Sequence, residues 1–548
     1  MFKWLKSGAP WIWLTGGAVS ISLLSVLGLL LLIGWKGLSY FWPAPLYQWT
    51  KTDGEILVGQ LYAQDSVSVD YLQEFGIALT PEVLKQDQVE RLNIKVANRD
   101  LYPADFVSIL DIDIQSRTQP PEWAVIERTR SGDFYGRPVA YQDAQGKVHQ
   151  DFQARLTESL EFSQLVREEI KRVIEEEVQT ISAKANDLRL EKRKRELNAQ
   201  LDEDYLAKYN AQSQQFSLQL SRAEAKLDDL RSKLAKQGLL VEDMTGQQVL
   251  LPLSQILDFW YPNQMSVTEK ALQWSKEVWK FLSTSPRESN SEGGVFPAMF
   301  GTVLLVLIMS VIVMPLGVVA AIYIHEYAKN NIFTRIIRVA VINLAGVPSI
   351  VYGVFGLGFF VYTLGASIDN LFYAERLPTP TFGTPGLLWS ALTLAVLTLP
   401  VVIVATEEGL TRIPNSVRHG SLALGATQFE TMWRIVLPMA SPAIITGLIL
   451  AVARAAGEVA PLMLVGAVKL ASSLPVDGQF PYIHLERKFM HLGFHIYDVG
   501  FQTTNIESAR PLVYATSFLL VTVIVGLNLT AISIRNNLRE KYRTLGQD

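Results

Sequence analysis

The chain has 548 residues, 49% of them hydrophobic, with a formal net charge of -4 and a positive mean hydropathy. This balance points to a membrane protein, and the charge is too small to support a nucleic-acid partner. The absence of cysteine excludes disulfides, thiolate nucleophiles and Cys-based metal sites, and six scattered histidines argue against a dedicated zinc centre.

About 20 apolar residues are needed to cross about 30 Å of hydrocarbon. Six stretches qualify: Trp11 to Ile33, Ala298 to Tyr323, Val339 to Gly365, Leu387 to Val404, Ile444 to Val468 and Leu512 to Ile534. Lys3 and Lys6 precede the first, as they would in a secretory signal. Its apolar core is longer than a signal's, and no small-residue cleavage site follows, so residues 1–42 are expected to be a short tail and an uncleaved span.

Between the first two spans, residues 43–295 form a long polar insertion. From Gly54 to Gln150, alternating runs such as "RLNIKVAN" and "SILDIDIQ", separated by turns such as "GDFYG" and "DAQGK", predict a β-rich part. Leu156 to Gln237 lacks Pro and Gly, and its apolar residues alternate spacings of three and four, as in Leu220, Ala223, Leu227, Leu230 and Leu234. An antiparallel coiled-coil hairpin fits, with its turn near Asp202 to Asn210; a single long helix in an intermolecular coiled coil is the alternative. Strand patterning resumes over 238–262, where "DMTGQQV" echoes the earlier "DAQGKV". The expectation is a β domain into which the helical hairpin is inserted.

Residues 296–548 carry the other five spans. Between the fourth and fifth runs a polar loop, Glu407 to Pro442, whose Val417, Leu422, Leu424, Met432, Ile435 and Val436 can pave one side of two short helices. Gly425 suits a helix C-terminus because glycine tolerates the left-handed conformation, and Pro438 stops or kinks the helix that follows. A short surface helix held at an angle to the spans can act as a lever for another protein, or be an amphipathic interfacial loop.

The fifth span, "LAVARAAGEVAPLMLVG", holds Arg454 and Glu458 inside an apolar run. A charge facing lipid at mid-membrane costs about 2.5–3.5 kcal/mol, so the two residues are expected to face protein or a water-filled path. Four residues apart, they share a helical face and can pair. Gly447 and Gly457 permit close neighbouring backbones, and Pro461 makes a discontinuity nearby. Arg454 suits a hydrated oxyanion because its planar fork bonds two oxygens at once, with Glu458 holding it in place. The other reading is an ion pair that only fixes helix packing.

Six spans put both termini on one side. Lys3, Lys6, Lys329, Arg335, Arg338, Arg412, Arg418, Arg434, Arg535, Arg539, Lys541 and Arg543 all fall there. The positive-inside rule makes that side cytoplasmic and residues 43–295 periplasmic. No P-loop, H-E-x-x-H or G-x-S-x-G occurs. An active transporter built on this chain must therefore borrow its nucleotide hydrolysis.

"GATQFETMWRIVLP" resembles the EAA loop of binding-protein-dependent ABC importer permeases. Gly425 is followed by nine residues and then Ile435, Leu437 and Pro438, in register with that family's pattern, whereas His419, Gly420 and Ser421 stand where the family has E-A-A. "NLAGVPSIVYGVFGLGFF" and "LAVARAAGEVAPLMLVG" narrow the resemblance to the PstA-type permease of the phosphate importer. It covers the first span and Ala298 to Arg543, and not the insertion. It implies an α-helical polytopic membrane protein of the type I ABC importer permease fold, set in the inner membrane. It also implies a phosphate path at Arg454 and Glu458, and a loop through His419, Gly425, Ile435, Leu437 and Pro438 that takes force from an ATPase. The implied partners are a PstC-like second permease, two PstB-like ATPases that bind ATP and Mg, and a PstS-like phosphate-binding protein. This chain itself holds no cofactor in that scheme. A permease for another oxyanion, such as sulfate or molybdate, would keep the same loop. An envelope scaffold or signalling protein working through its coiled coil is the reading from another class.

Overall fold

The computed structural model describes residues 9–74, 87–287, 290, 292–329, 331–503 and 506–544. Lys3, Lys6 and residues 75–86 of the expected β-rich stretch lie outside the described residues. The chain divides into two compact units, Phe41–Lys280 and Met1–Tyr40 with Phe281–Asp548.

The first of these units carries two antiparallel sheets. Strands β1 (Tyr47–Lys51), β2 (Ile56–Ser68), β3 (Gln88–Lys95), β4 (Phe106–Leu110) and β5 (Ile114–Thr118) form one, in the order β4-β3-β2-β1-β5, and a short helix α2 (Val69–Glu74) follows β2. The other runs β10-β9-β7-β6-β11, from β6 (Ala124–Arg128), β7 (Phe134–Gln142), β9 (Gly238–Glu242), β10 (Gln248–Pro252) and β11 (Ile256–Trp260); β8 (Val148–His149) pairs with β7. Val125 of β6 and Tyr135 of β7 form a core cluster with Leu46, which precedes β1, and Ala97, which follows β3.

The two echoing sequences are matching turns. Asp143 Oδ1 accepts from the N–H groups of Gln145 and Lys147 at 3.0 and 2.9 Å. Asp243 Oδ1 accepts from those of Thr245 and Gln247 at 2.9 and 2.8 Å. Gly146 and Gly246 take φ +80° and +83°, values a side chain would resist. Because β7 and β9 pair directly, the chain leaves and re-enters the sheet on adjacent strands. The intervening segment is α3 (Phe152–Arg172), a π-helical turn (Val173–Val178), α4 (Gln179–Leu197) and α5 (Glu203–Ala235). Val166 packs with Leu234, and Val173 with Ala223 and Leu227, so the helices run antiparallel. Asp202 caps α5 by accepting from Tyr205 N–H at 2.8 Å, which places the turn at 198–202, ahead of the stretch expected from sequence. A helix not anticipated there, α6 (Val267–Ser283), follows β11.

In the helical unit, six helices among the described residues are long and apolar enough to cross a membrane: Trp11–Ser39, Phe296–Tyr327, Ser349–Phe372, Leu387–Thr411, Gln428–Gly457 and Ala509–Leu538. They fall on α1 (Ala9–Ser39), α7 (Phe296–Ile322) with the π-helical turn after it (Tyr323–Tyr327), α9 and α10 (Ser349–Phe355, Ala366–Phe372) with the π-helical stretch between them (Gly356–Gly365), α11 (Leu387–Thr411), α13 and α14 (Gln428–Thr431, Leu437–Gly457) with the π-helical turn between them (Met432–Val436), and α17 (Ile506–Thr544). The third begins ten residues later than the expected Val339. Pro348 lacks an N–H and drives Val347 out of helical angles, so the chain turns at 345–348. Ile332–Leu344 becomes a separate amphipathic helix, α8. The fifth begins in the Glu407–Pro442 loop and ends at Gly457, not at Val468.

The core joins Leu305, Val306, Met309 and Val313 of α7, Leu387, Ala391, Leu394 and Val402 of α11, and Ala451, Val452, Ala455 and Ala456 of α14. Without hydrophobic drive between helices in lipid, small residues that let backbones approach hold such a bundle. A Cβ on Gly447 would sit 2.7 Å from Ala405 Cβ, whereas one on Gly457 would meet nothing within 4 Å. Gly447 is thus a packing glycine, and Gly457, contrary to expectation, is a helix end.

Candidate functional site

Helix α14 stops at Gly457 because Pro461 has no N–H for the Gly457 carbonyl, and its ring disfavours helical angles at Ala460. Glu458 takes extended angles, φ -76° and ψ 134°. The short helix α15 (Ala460–Val465) restarts with Pro461 in its first turn, where a missing donor leaves nothing unpaired.

Arg454, in the last turn of α14, carries a positive charge at the negative end of the helix dipole. Its Nε lies 3.5 Å from Glu458 Oε1, with the two side chains 33% and 19% exposed. The expected pair forms, but across a break in the helix and not along one continuous face. Among the described residues the guanidinium has no hydrogen bond, and with Nε facing Glu458 its four Nη donors are unengaged.

The break is walled by the third apolar helix. A Cβ on Gly353 would sit 2.7 Å from Pro461 Cα, and one on Gly356 would sit 3.0 Å from Val465 Cγ1. Tyr352 donates to the Leu344 carbonyl at 2.6 Å, within electrostatic reach of Arg454. The two stretches that carried the resemblance therefore pack on one another although about a hundred residues separate them.

Beside the break stands a buried polar group that sequence reasoning passed over. A Cβ on Gly493 would sit 2.7 Å from Val459 Cγ2, which brings α16 (Leu492–Phe501) against the residue after Glu458. His491 and His495 flank that contact, fully buried, with His491 Nε2 and both His495 ring nitrogens lacking partners among the described residues. Burial pushes both imidazoles down to about 4, so they are neutral at physiological pH. Asp498, also buried, accepts from Asn290 Nδ2 at 2.9 Å and lies 3.2 Å from Lys469 Nζ. The i, i+4, i+7 spacing of His491, His495 and Asp498 was a usable sequence signal.

At the other end of α14 lies the Glu407–Pro442 loop, the stretch expected to couple to an ATPase. Helix α12 (Asn415–Ala423) ends in a Schellman motif: Ala426 N–H donates to Ser421 O at 3.3 Å and Gly425 N–H to Leu422 O at 3.0 Å, with Gly425 at φ +90°. Thr427 and Glu430 then form a reciprocal capping box on α13. The helix passes through a π-helical turn, Met432–Val436, into α14. Pro438 sits at the start of α14 and does not end the helix, because the widened turn before it absorbs the missing donor.

Met432 and Val436 are buried with Leu410, Ile413 and Ala440, and Val417 and Leu437 pack on them. Ile435 is half-buried. Leu422 and Leu424 were expected on the same side; both are exposed, Leu424 to 91%, where Phe429 and Trp433 stack with centroids 6.3 Å apart. The turn thus presents an apolar tip to its surroundings. His419 is exposed.

Two ion pairs missed from sequence hold this stretch. Arg418 donates to Leu410 O and Ile413 O, both at 2.8 Å, and lies 2.9 Å from Glu326 in the π-helical turn ending α7. Arg338 of α8 lies 2.7 Å from Glu407 of α11. The two arginines entered the sequence reading only as topology charges. Their acidic partners are remote in sequence and carried no local signal.

In the β unit, Glu127, Asp258 and Glu277 have metal-like spacing, but the Lys280 ammonium lies 2.8 Å from Glu277 and 3.3 Å from Asp258. Burial works to lower the Lys280 pKa, and the carboxylates of Glu127, Glu277 and Asp258 outweigh it and hold the pKa above the usual lysine range.

Residues 313–543 match the family of binding-protein-dependent transport system inner membrane components. The phosphate transport system permease protein PstA 1 of Mycobacterium tuberculosis (strain CDC 1551 / Oshkosh) is 33% identical over 244 residues, covering 44% of this chain and 71% of that one. The probable ABC transporter permease protein YqgI of Bacillus subtilis is 30% identical over 262 residues, covering 47% and 83%. A solved inward-facing MetNI methionine ABC transporter aligns at TM-score 0.32 and 18% identity, over 48% of this chain and 97% of that chain.

Proposed function

This chain belongs to the PstA-type branch of the binding-protein-dependent transport permeases, and on that premise we propose that it carries inorganic phosphate across the inner membrane by alternating access. It is an ABC importer permease. In this reading both termini are cytoplasmic and residues 43–295 are periplasmic. A second PstC-like permease, two PstB-like ATPases that bind ATP and Mg, and a PstS-like binding protein complete the importer.

One observation carries the proposal: a single helix joins the coupling stretch to the charged break. Pro438 and Arg454 are sixteen residues apart on α14, about 24 Å at 1.5 Å per residue. An ATPase closing on the apolar tip of Leu424, Phe429 and Trp433 pushes that helix, and the far end of the push is Arg454. There the open guanidinium meets phosphate, and Glu458 offsets part of its charge so that release remains possible. The ATPase supplies nucleotide hydrolysis; this chain's part is to bind, orient and move.

The test is radiolabelled phosphate uptake in cells lacking their own phosphate importers, expressing this chain with its partners. Arg454→Ala is expected to abolish uptake at matched membrane levels, and Arg454→Lys to impair it strongly, because lysine keeps the charge and loses the fork. Uptake by Arg454→Ala equal to the parent's would return the pair to helix packing. Stronger competition by sulfate or molybdate than by phosphate would reassign the substrate.

A further inference from the structure

Helix α8 has three distinct sides. Thr334 is buried, and Val341 packs toward Ala321, Ile324 and Ile403. Arg338 is held by Glu407. The broad remaining side is apolar and uncovered: Ile332 and Phe333 are 70% and 71% exposed, and Ile336 and Ile337 are exposed with them. At 100° per residue these four fall on one arc, with Arg335 at its edge.

The connectors fix where that arc sits. Residues 328–331 join α8 to the second apolar helix and 345–348 join it to the third. Four residues reach at most about 14 Å, so α8 cannot leave the membrane surface. The helices on either side of it also expose apolar residues, Val319 and Tyr323 before it and Ile350 and Val354 after it.

We propose that α8 lies in the cytoplasmic interface of the bilayer, with Ile332, Phe333, Ile336 and Ile337 among the acyl chains and Lys329 and Arg335 on anionic phospholipid headgroups. Charge favours lipid over a protein partner. Lys329 and Arg335 have no ion pair among the described residues, and lysine is depleted in protein interfaces, whereas an anionic leaflet attracts both cations. Through Arg338 and Glu407 this lipid-bound helix is tied to the start of the coupling stretch. The assignment to the cytoplasmic leaflet rests on the topology proposed above.

The chain has no cysteine of its own, so single spin labels report cleanly. Phe333→Cys, Arg335→Cys, Ile336→Cys and Val341→Cys would be made in the assembled importer. They would be placed in vesicles of phosphatidylcholine, with and without phosphatidylglycerol, and read by collisions with oxygen and with a water-soluble nickel chelate. Positions 333 and 336 are expected to favour oxygen several-fold, position 335 to be intermediate, and position 341 to be shielded from both. Adding phosphatidylglycerol should deepen position 336, and Lys329→Gln with Arg335→Gln should remove that response.

Shielding of 333 and 336 from both reagents would show a protein cover and overturn the proposal, as would dominant nickel collisions at those positions. An unchanged depth on adding phosphatidylglycerol would overturn the headgroup assignment. Sidedness is read separately from a Ser416→Cys label in intact cells, so a wrong topology and a wrongly assigned α8 give different results.

Discussion

Removing the Arg418 guanidinium tests whether the coupling stretch works as an anchored lever. The side chain is 14% exposed and Glu326 is 20% exposed, so solvent screens the pair little. Arg418→Ala deletes hydrogen bonds to Leu410 O, Ile413 O and Asn415 Oδ1 and leaves the half-buried Glu326 carboxylate with His325 Nε2, 3.7 Å away, as its remaining ion-pair neighbour among the described residues. Hydrogen bonds to a charged group contribute about 1.5–3 kcal/mol each, and breaking a buried pair costs about 3–5 kcal/mol in all. Residual exposure of both partners sets the lower end, about 3 kcal/mol, which is roughly a hundredfold fall in the population with α12 seated on α7. The assay is phosphate taken up per ATP hydrolysed by the reconstituted importer. Uptake per ATP should collapse while hydrolysis persists. Exchanging the charges, Arg418→Glu with Glu326→Arg, should restore little, because the carbonyl contacts need the guanidinium at position 418. Normal coupling in Arg418→Ala would refute the anchoring role.

Gly353→Val places a Cβ 2.7 Å from the Pro461 backbone, which cannot swing aside, so a loss of about 1–3 kcal/mol is expected; an unchanged midpoint of thermal unfolding in detergent would contradict it. Gly425→Val forces a β-branched residue to φ +90°, at a cost of about 1–2 kcal/mol, and should lower uptake per ATP with little change in unfolding; intact coupling would show that the turn's shape is immaterial. His491 and His495 are held near 4 in the fold against about 6.5 in the unfolded chain. As pH drops below 6.5 the unfolded chain takes up protons first, so stability falls down to about 4, by roughly 1.4 kcal/mol per pH unit per histidine. His495→Gln should about halve that slope, and an unaltered slope would mean that other groups set it.

Sequence patterning located the membrane crossings because twenty-residue apolar runs have few competing explanations, and it located Gly425 because a left-handed helix end has one natural occupant. It placed the third crossing too early. Val339 to Gly365 scores as one apolar run, and hydropathy weighs Pro348 as a single residue although its geometry ends a helix. Leu422 and Leu424 were misassigned for a related reason: periodicity identifies an apolar side and cannot tell a core contact from an exposed apolar tip. Arg454 and Glu458 were legible because charges in an apolar run stand out. Glu326 and Glu407 were not, since each lies in a polar stretch where an acid is ordinary, and only the fold brings them to Arg418 and Arg338. The buried imidazoles escaped for want of any local oddity beyond their spacing.

The prolines of the fifth apolar helix divide it into parts with different mechanical character. Pro438 and Pro442 lie in its first turns after the π-helical widening, where lost donors weaken the ladder. From Ala443 to Gly457 there is no proline, and Ile444, Ala451, Val452, Ala455 and Ala456 are buried against neighbouring helices, so this stretch resists bending. Past it, Gly457 and Pro461 interrupt the helix again. A rod bracketed by two compliant points moves as a body when one end is pushed, and the deformation collects at those points. One is beneath the stacked Phe429 and Trp433. The other carries Arg454 and Glu458, whose 3.5 Å separation spans the break and therefore changes whenever the break flexes. A pair on one unbroken helical turn would keep its spacing through such a movement and could not sense it. Because Pro461 stands three residues beyond Glu458, the separation of Arg454 and Glu458 depends on how far that break is bent.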